Sequence, residues 1–243
     1  MSKSIQVAGI DGCKNGWVAV SLSTKGAIIV QEQTFSTFME HLHGADAILI
    51  DMPIGLARNK EEAAHRPEKL ARKFIPGKGA SIFNAPSEQA AFCTTYGDAN
   101  AMNHHILGKG LSKQSYHICS KIREVDTYVK RHPSHAKILM ESHPEVCFAH
   151  LHPDKEPILE NKKSPIGQEK RLMLLKSYAP EVVSMVEQTL ASSSELRKIT
   201  DDVIDAACLA IVAKYGIEEG FQTIPETPHE NSHGMPMQMV YPH

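Results

Sequence analysis

The chain has 243 residues, 42% of them hydrophobic and 22% charged, with a formal net charge of -2. That is enough for one large domain, or for a core with one sizeable insertion, and the composition is that of an ordinary globular protein. No apolar run approaches the roughly 18 residues of a membrane helix, and the weak net charge neither indicates nor excludes nucleic acid, whose binding depends on local basic surface.

The N-terminal MSKSIQVAGID enters a strand-like pattern with no apolar export segment, so the expected localisation is cytoplasmic. Three strands come first: IQVAGID, WVAVSLS and AIIVQEQTF, separated by turn signals at Asn15-Gly16 and Lys25-Gly26. Their spacing predicts an antiparallel meander. A helix in FSTFMEHLHG follows, ending at Gly44. DAILIDMP then reads as an apolar strand stopped by Pro53, and AKILMESHP at residues 136–144 as a second of the same kind. Continuous apolar runs suit strands covered on both faces.

Between these two strands lies an insertion at about 57–135. It holds the basic stretch EKLARKFIPGKGASIFNAPSEQ and a helical pattern from about Leu111 to Lys130. Polar linkers and two or three helices complete the chain, the last opening TDDVIDAACLAIVA at residues 200–213. The order predicts one α/β domain over residues 1–225: a mixed sheet, a meander joined to crossover strands, with helices on both faces. Residues 226–243, rich in Pro and His, are expected to form a poorly ordered tail. The five cysteines are scattered without a CxxC pair, which predicts reduced thiols rather than zinc ligands or a disulfide framework.

Several acidic positions stand out. Asp11 closes the first strand in AGIDGCKNG, where the small Gly9 and Gly12 leave room for close approach. Asp51 ends ILIDMP, and crossover strands present ligand groups at their carboxyl ends. Glu141 ends an apolar strand, and a glutamate there needs a partner; Glu145, beyond Pro144, ranks lower as a simple helix start. In the closing helix, Thr200 is expected to cap, and Asp201 and Asp202 suit the positive helix end. That leaves Asp205, one acid among ten apolar residues in positions 203–213. Three residues after Asp202, it shares a helix face with it.

Carboxylates crowd together only around a cation, because their repulsion raises their pKa values. Oxygen-only ligands point to Mg²⁺ or Mn²⁺, and two such ions about 3.5–4 Å apart suit phosphodiester hydrolysis. Arg66, Lys69, Arg72, Lys73 and Lys78 concentrate positive charge near a Gly-Lys-Gly turn, where they suit phosphate contacts. Phe74 and Phe83 flank the turn and offer faces for a base or anchors for the loop. Ser112 suits a helix cap, while Gln114, Lys121 and Arg123 are further candidate substrate contacts.

GIDGCKNGWV, IDMPIGL, FIPGKGASIFNAPSEQA, GKGLSKQSYHICSKIREVD, ESHPEVCFAHL and DDVIDAACLAIVA together resemble the DUF429 family of predicted RNase H-like nucleases. The closing D-x-x-D-A helix is similar to that of Holliday-junction resolvases of the RuvC type. The resemblance implies an RNase H-like fold. It implies that Asp11 is the first-strand metal ligand, that Asp51 takes the fourth-strand position, and that Asp202 and Asp205 complete the shell from the last helix. Glu141, on the next strand, joins that catalytic set. Arg72, Lys73, Lys78, Gln114 and Lys121 are the expected substrate contacts. The expected function is a nuclease holding Mg²⁺ or Mn²⁺, two ions on this reading, and acting on RNA, DNA or a hybrid. The resolvase likeness leaves a homodimer open. Two other readings stand beside it. One is a non-catalytic binding member of the fold. The other is an actin-like or sugar-kinase-like phosphotransferase, disfavoured because the chain has one meander and too few residues for a second core.

Overall fold

The computed structural model describes residues 5–243. The meander forms as expected: β1 (Gln6–Cys13), β2 (Gly16–Ser23) and β3 (Gly26–Glu32) pair antiparallel in sequence. Gly16 opens β2 at φ 136°, a conformation that favours glycine at the turn. Helix α1 (Phe35–Glu40) follows, with the Thr34 side chain accepting from the Thr37 N–H. Then β4 (Ala47–Ile50) runs parallel to β1. The last strand, β5 (Leu139–Glu141), runs parallel to β4, giving the sheet order β3-β2-β1-β4-β5. It has three residues where a longer strand was expected. A 3-10 turn at residues 135–137 precedes it, and Pro144 opens the next helix too soon for it to extend.

The insertion is mostly helical. It contains α2 (Lys60–Ala64), α3 (Glu68–Phe74), α4 (Glu88–Ala91), α5 (Tyr96–Leu107), α6 (Lys113–His117) and α7 (Cys119–Arg131). The basic stretch expected as a loop therefore begins as a helix. Its Ala71 and Ile75 are buried against Val146 and Ala149 of α8 (Pro144–Leu151). Ser112 caps α6 as expected. Beyond α8 come α9 (Pro165–Lys176), α10 (Pro180–Ser192), α11 (Ser194–Arg197) and α12 (Thr200–Glu219).

Two apolar layers sandwich the sheet. On one side α8, α10 and α12 cover Val7, Val18, Ala47 and Leu49. On the other, α1 and α7 cover Ala8, Ile10, Ile48 and Ile50, with Trp17 and Phe35 edge to face at 4.9 Å. Alternation along each strand divides the residues between the layers. Helix α12 lies almost against the backbone of β1. A Cβ on Gly9 would fall 2.2 Å from the Ala206 oxygen and from the Ala210 nitrogen.

The tail differs from expectation. Instead of poor order, it forms a hairpin of β6 (Phe221–Glu230) and β7 (Pro236–Pro242). Met237, Met239 and Val240 bury their side chains, and the Ser142 hydroxyl donates to the Val240 carbonyl at 2.7 Å. Prolines that would break a central ladder are tolerated in a two-stranded edge sheet. All five cysteines are free. Among the described residues no helix is long and apolar enough to cross a membrane.

Candidate functional site

Parallel pairing brings two of the acids together. Ile10 of β1 stands opposite Ile50 of β4, and the Asp51 N–H continues the ladder by donating to the Ile10 carbonyl at 3.0 Å. Asp11 and Asp51 thus leave adjacent strands side by side. Both alternate away from Ile10 and Ile50, toward the α12 face. Asp11 is 6% exposed, and its Oδ1 accepts the Gly12 N–H at 2.6 Å. The close approach of α12 at Gly9 carries Asp205 to the same end of the sheet, where it is 2% exposed.

The same alternation turns Glu141 toward the opposite layer, although it lines a cavity of about 160 Å³ with Asp11 and Asp51. It pairs with Ile50 and therefore faces the opposite layer. There Arg66 Nη2 donates to its two oxygens at 2.9 and 3.0 Å, and the Ile54 N–H donates to Oε2 at 2.8 Å. Glu68 Oε1 accepts from Arg66 Nη2 at 2.8 Å and from the Ala85 N–H at 3.2 Å. Burial pushes the Glu141 carboxyl up to about 8, with Arg66 pulling it down. Glu141, expected among the catalytic acids, is the partner of a buried arginine that ties the insertion to the sheet.

Asp201 and Asp202 lie in the first turn of α12. Thr200 does not cap the helix as expected; its hydroxyl donates to the Arg197 carbonyl at 2.9 Å. The acids converge on a residue the sequence left unmarked. Lys162 Nζ donates to Asp205 Oδ2 at 2.6 Å and stands 3.9 Å from Asp201 Oδ2. Lys163 Nζ is also 3.9 Å from Asp201 Oδ2.

The electrostatics follow from burial and crowding. Burial and then Asp51 hold the Asp11 carboxyl well above the usual carboxylate range; Lys162 opposes them, while Asp205 and Asp202 add to the rise. Burial pushes Asp205 up to about 6 against the pull of Lys162, and burial with Asp201 pushes Asp202 up to about 7. Burial works against the Lys162 ammonium, but Asp205, Asp11 and Asp51 outweigh it and hold the group above the usual lysine range.

The donor chemistry fits a hard cation. All the converging acids are oxygen donors, and Asp205 Oδ1 is buried with no hydrogen-bond partner among the described residues. The arrangement is not a closed metal cage, however. Among the described residues no group of three or more His, Cys, Asp or Glu side chains stands ready to hold a metal ion. The Lys162 ammonium takes up one face of the cluster.

The expected substrate contacts divide sharply. Lys121 reaches the site. It lines a cavity of about 160 Å³ with Asp11, Asp51, Phe83, Ser142 and His143, donates to the Gly16 carbonyl, and lies 4.6 Å from the Trp17 ring centroid. Arg72 is turned inward to the Ile82 carbonyl at 2.7 Å and Asn84 Oδ1 at 2.8 Å. Lys78 donates to the Glu160 carbonyl at 3.1 Å and stands 3.5 Å from Glu145. Arg123 donates to the Ala91 carbonyl at 2.8 Å. Lys73 and Gln114 are exposed, Gln114 beside a separate cavity with Arg72 and Lys109. Phe74 packs near His150 and Tyr241, so it anchors the loop, whereas Phe83 faces the cavity. Sequence reasoning missed Lys162 and His143. The buried Asp205 signals that some cation is needed, but nothing in the polar run NKKSP says which lysine supplies it.

Fold and site together define a mixed α/β protein with an acidic, lysine-bearing site at the carboxyl ends of its parallel strands. The family model DUF429, described as a protein of unknown function, matches residues 9–230, and the chain belongs to that family. No curated protein and no solved structure matches it.

Proposed function

We propose that this protein is a divalent-metal-dependent nuclease of RNase H-like architecture, hydrolysing phosphodiester bonds in RNA, DNA or a hybrid. The observation that carries the reading is the convergence of Asp11 and Asp51, from neighbouring parallel strands, with Asp205 from the helix packed across them. An antiparallel meander continued by two parallel strands, in the order β3-β2-β1-β4-β5, supports the RNase H-like assignment. So does the position of the acids at the carboxyl ends of β1 and β4.

On this reading Asp11, Asp51, Asp202 and Asp205 hold Mg²⁺ or Mn²⁺. The bound metal supplies activation of water and neutralisation of phosphate charge. Lys121, at the cavity wall beside Asp11, meets the phosphate backbone, and Phe83 closes the cavity as an apolar face for a base. The fixed ladder between Ile10 and Asp51 keeps the first two acids in register. Incubating the protein with labelled RNA, DNA, hybrid and junction substrates and Mn²⁺ tests the reading. Metal-dependent cleavage lost in Asp11→Asn supports it, and cleavage that survives that substitution refutes it.

A second reading, a nucleic-acid-binding member without catalysis, draws on Lys162. An ammonium already bound to Asp205 neutralises part of the acidic cluster and lets the fold keep its acids without a metal. The same substrate panel separates the two: binding without cleavage at any Mn²⁺ concentration favours this one.

A further inference from the structure

Lys162 places its ammonium against the acidic cluster at Asp205. Its Nζ is 2.6 Å from Asp205 Oδ2, so it uses lone pairs that a hard metal would coordinate at about 2.0–2.6 Å. The charges facing it come from every neighbouring element: Asp11 of β1, Asp51 after β4, and Asp201, Asp202 and Asp205 of α12. Lys163 and Lys78 supply the other cations nearby, Lys78 through Glu145. Asp205 divides its two oxygens unequally. Oδ2 holds the ammonium, while Oδ1 is buried and unpaired.

The segment carrying Lys162 is fixed in place. The Asn161 carbonyl accepts from the Ser164 N–H at 2.9 Å and from the Ser164 hydroxyl at 2.8 Å. Gly167 lies so close beneath that a Cβ would fall 2.0 Å from the Asn161 oxygen. The Glu160 carbonyl accepts from Lys78 at 3.1 Å and from Arg171 Nη1 at 3.2 Å. These contacts hold the backbone on either side of Lys162, whose side chain reaches Asp205. The side chain differs: it is 33% exposed, and its stem is long and flexible, so the ammonium has a path to solvent.

We propose that Lys162 is an exchangeable internal cation: its ammonium and a divalent ion are alternative occupants of the Asp205 end of the site, and loading the metal requires the lysine side chain to swing out. This rests on reading the carboxylate cluster as a metal site, and it adds that the chain sets its own metal threshold. Two cations drawn to one carboxylate repel each other and compete for its charge, and such a coupling between ligands is on the order of 5- to 150-fold in affinity.

The test is calorimetric titration of Mn²⁺ into the full chain, wild type against Lys162→Met, with thermal unfolding followed with and without Mn²⁺. The expected result is Mn²⁺ binding about 10- to 100-fold tighter in Lys162→Met. With chelator present the variant unfolds at a lower temperature than wild type, and Mn²⁺ raises its midpoint by more. Lys162→Gln, which keeps a neutral donor, is the second variant should Lys162→Met fail to fold, and the same tightening is expected of it. Mn²⁺ binding of equal or lower affinity in the variants overturns the exchange while leaving the metal site standing. No Mn²⁺ binding to any of the proteins overturns both the exchange and the nuclease reading.

Discussion

Arg66 Nη2 grips Glu141 through both carboxylate oxygens, at 2.9 and 3.0 Å, and Arg66 Nη1 donates to the Ile54 carbonyl. The pair is buried and joins the insertion to the end of β5. Removing one member of such a pair leaves an uncompensated buried charge, at a cost of about 3–5 kcal/mol. Arg66→Met is expected to lower stability by about that much in urea unfolding. Glu141→Gln, which keeps a hydrogen-bond acceptor for Arg66, is expected to lose less stability and to retain metal binding. Loss of Mn²⁺ binding in a folded Glu141→Gln would return Glu141 to the site.

Gly9 sets the distance between β1 and α12. With a Cβ only 2.2 Å from two α12 backbone atoms, Gly9→Ala forces the helix outward, since backbone cannot yield as a side chain does. Overpacking of this kind costs about 1–3 kcal/mol or more. The same shift carries Asp205 away from Asp11. Stability by chemical unfolding and Mn²⁺ affinity are expected to fall together; a drop in stability with unchanged affinity would show that the helix position does not set the site.

The C-terminal hairpin is structural, and Asn231 organises it. Its side chain accepts from the His233 and Met235 N–H groups at 3.0 Å each and donates to the Leu56 carbonyl at 3.0 Å. Asn231→Ala leaves the buried Leu56 carbonyl unpaired, at a cost of about 1–3 kcal/mol, and frees the His233 and Met235 N–H groups of the turn. Limited proteolysis is expected to cut the 231–235 turn faster in this variant. Identical digestion of the two proteins would contradict the assignment.

The raised carboxyls make stability depend on pH with a definite sign. Burial and then Asp201 push Asp202 to about 7, and burial pushes Asp205 to about 6, both above their unfolded value of 3.8. An acid raised by folding binds more protons in the native state, so its contribution is fully present below pH 3.8 and is lost as pH rises through 6 and 7. Asp11, Asp51, Asp201, Lys162, Lys163 and Glu145 surround these groups. With chelator present, the stability of wild type relative to Asp202→Asn is expected to fall between pH 4 and pH 8. Mn²⁺, which binds the ionised form, is expected to reverse that slope. A relative stability that rises with pH in chelator would contradict the raised values.

The sheet core was legible because its signals are local. Asn15-Gly16 and Lys25-Gly26 marked the meander, and the apolar runs ending in Asp11 and Asp51 marked the parallel pair. Asp205 stood out against ten apolar neighbours, and the structure brings it to those two aspartates. What failed to show depended on direction. Arg66 and Arg72 counted as surface charge, yet one is buried against Glu141 and the other turned to Ile82 and Asn84. Glu141 closed a strand like Asp51, but one residue of register places it on the other face. The prolines and histidines of residues 226–243 suggested a poorly ordered tail, yet Pro228, Pro236 and Pro242 lie in an edge hairpin. Lys162 sits in a polar linker with no periodicity, so its meeting with Asp205 is visible only in three dimensions.

The central claim is that Asp11, Asp51, Asp202 and Asp205 form a metal-dependent phosphodiesterase site, and Asp205→Asn tests it most directly. Asn keeps the size of the side chain while removing the charge beside the unpaired Oδ1. The measurement is Mn²⁺ binding by calorimetry, with cleavage of labelled RNA, DNA, hybrid and junction substrates in parallel. The account predicts that wild type binds Mn²⁺ and cleaves at least one substrate, and that a folded Asp205→Asn loses cleavage by more than about 100-fold, beyond what partners that merely orient a ligand contribute. Equal Mn²⁺ binding and equal cleavage in the two proteins, or no Mn²⁺ binding in either, would contradict it, and Asp205 would then be a buried acid that Lys162 alone satisfies.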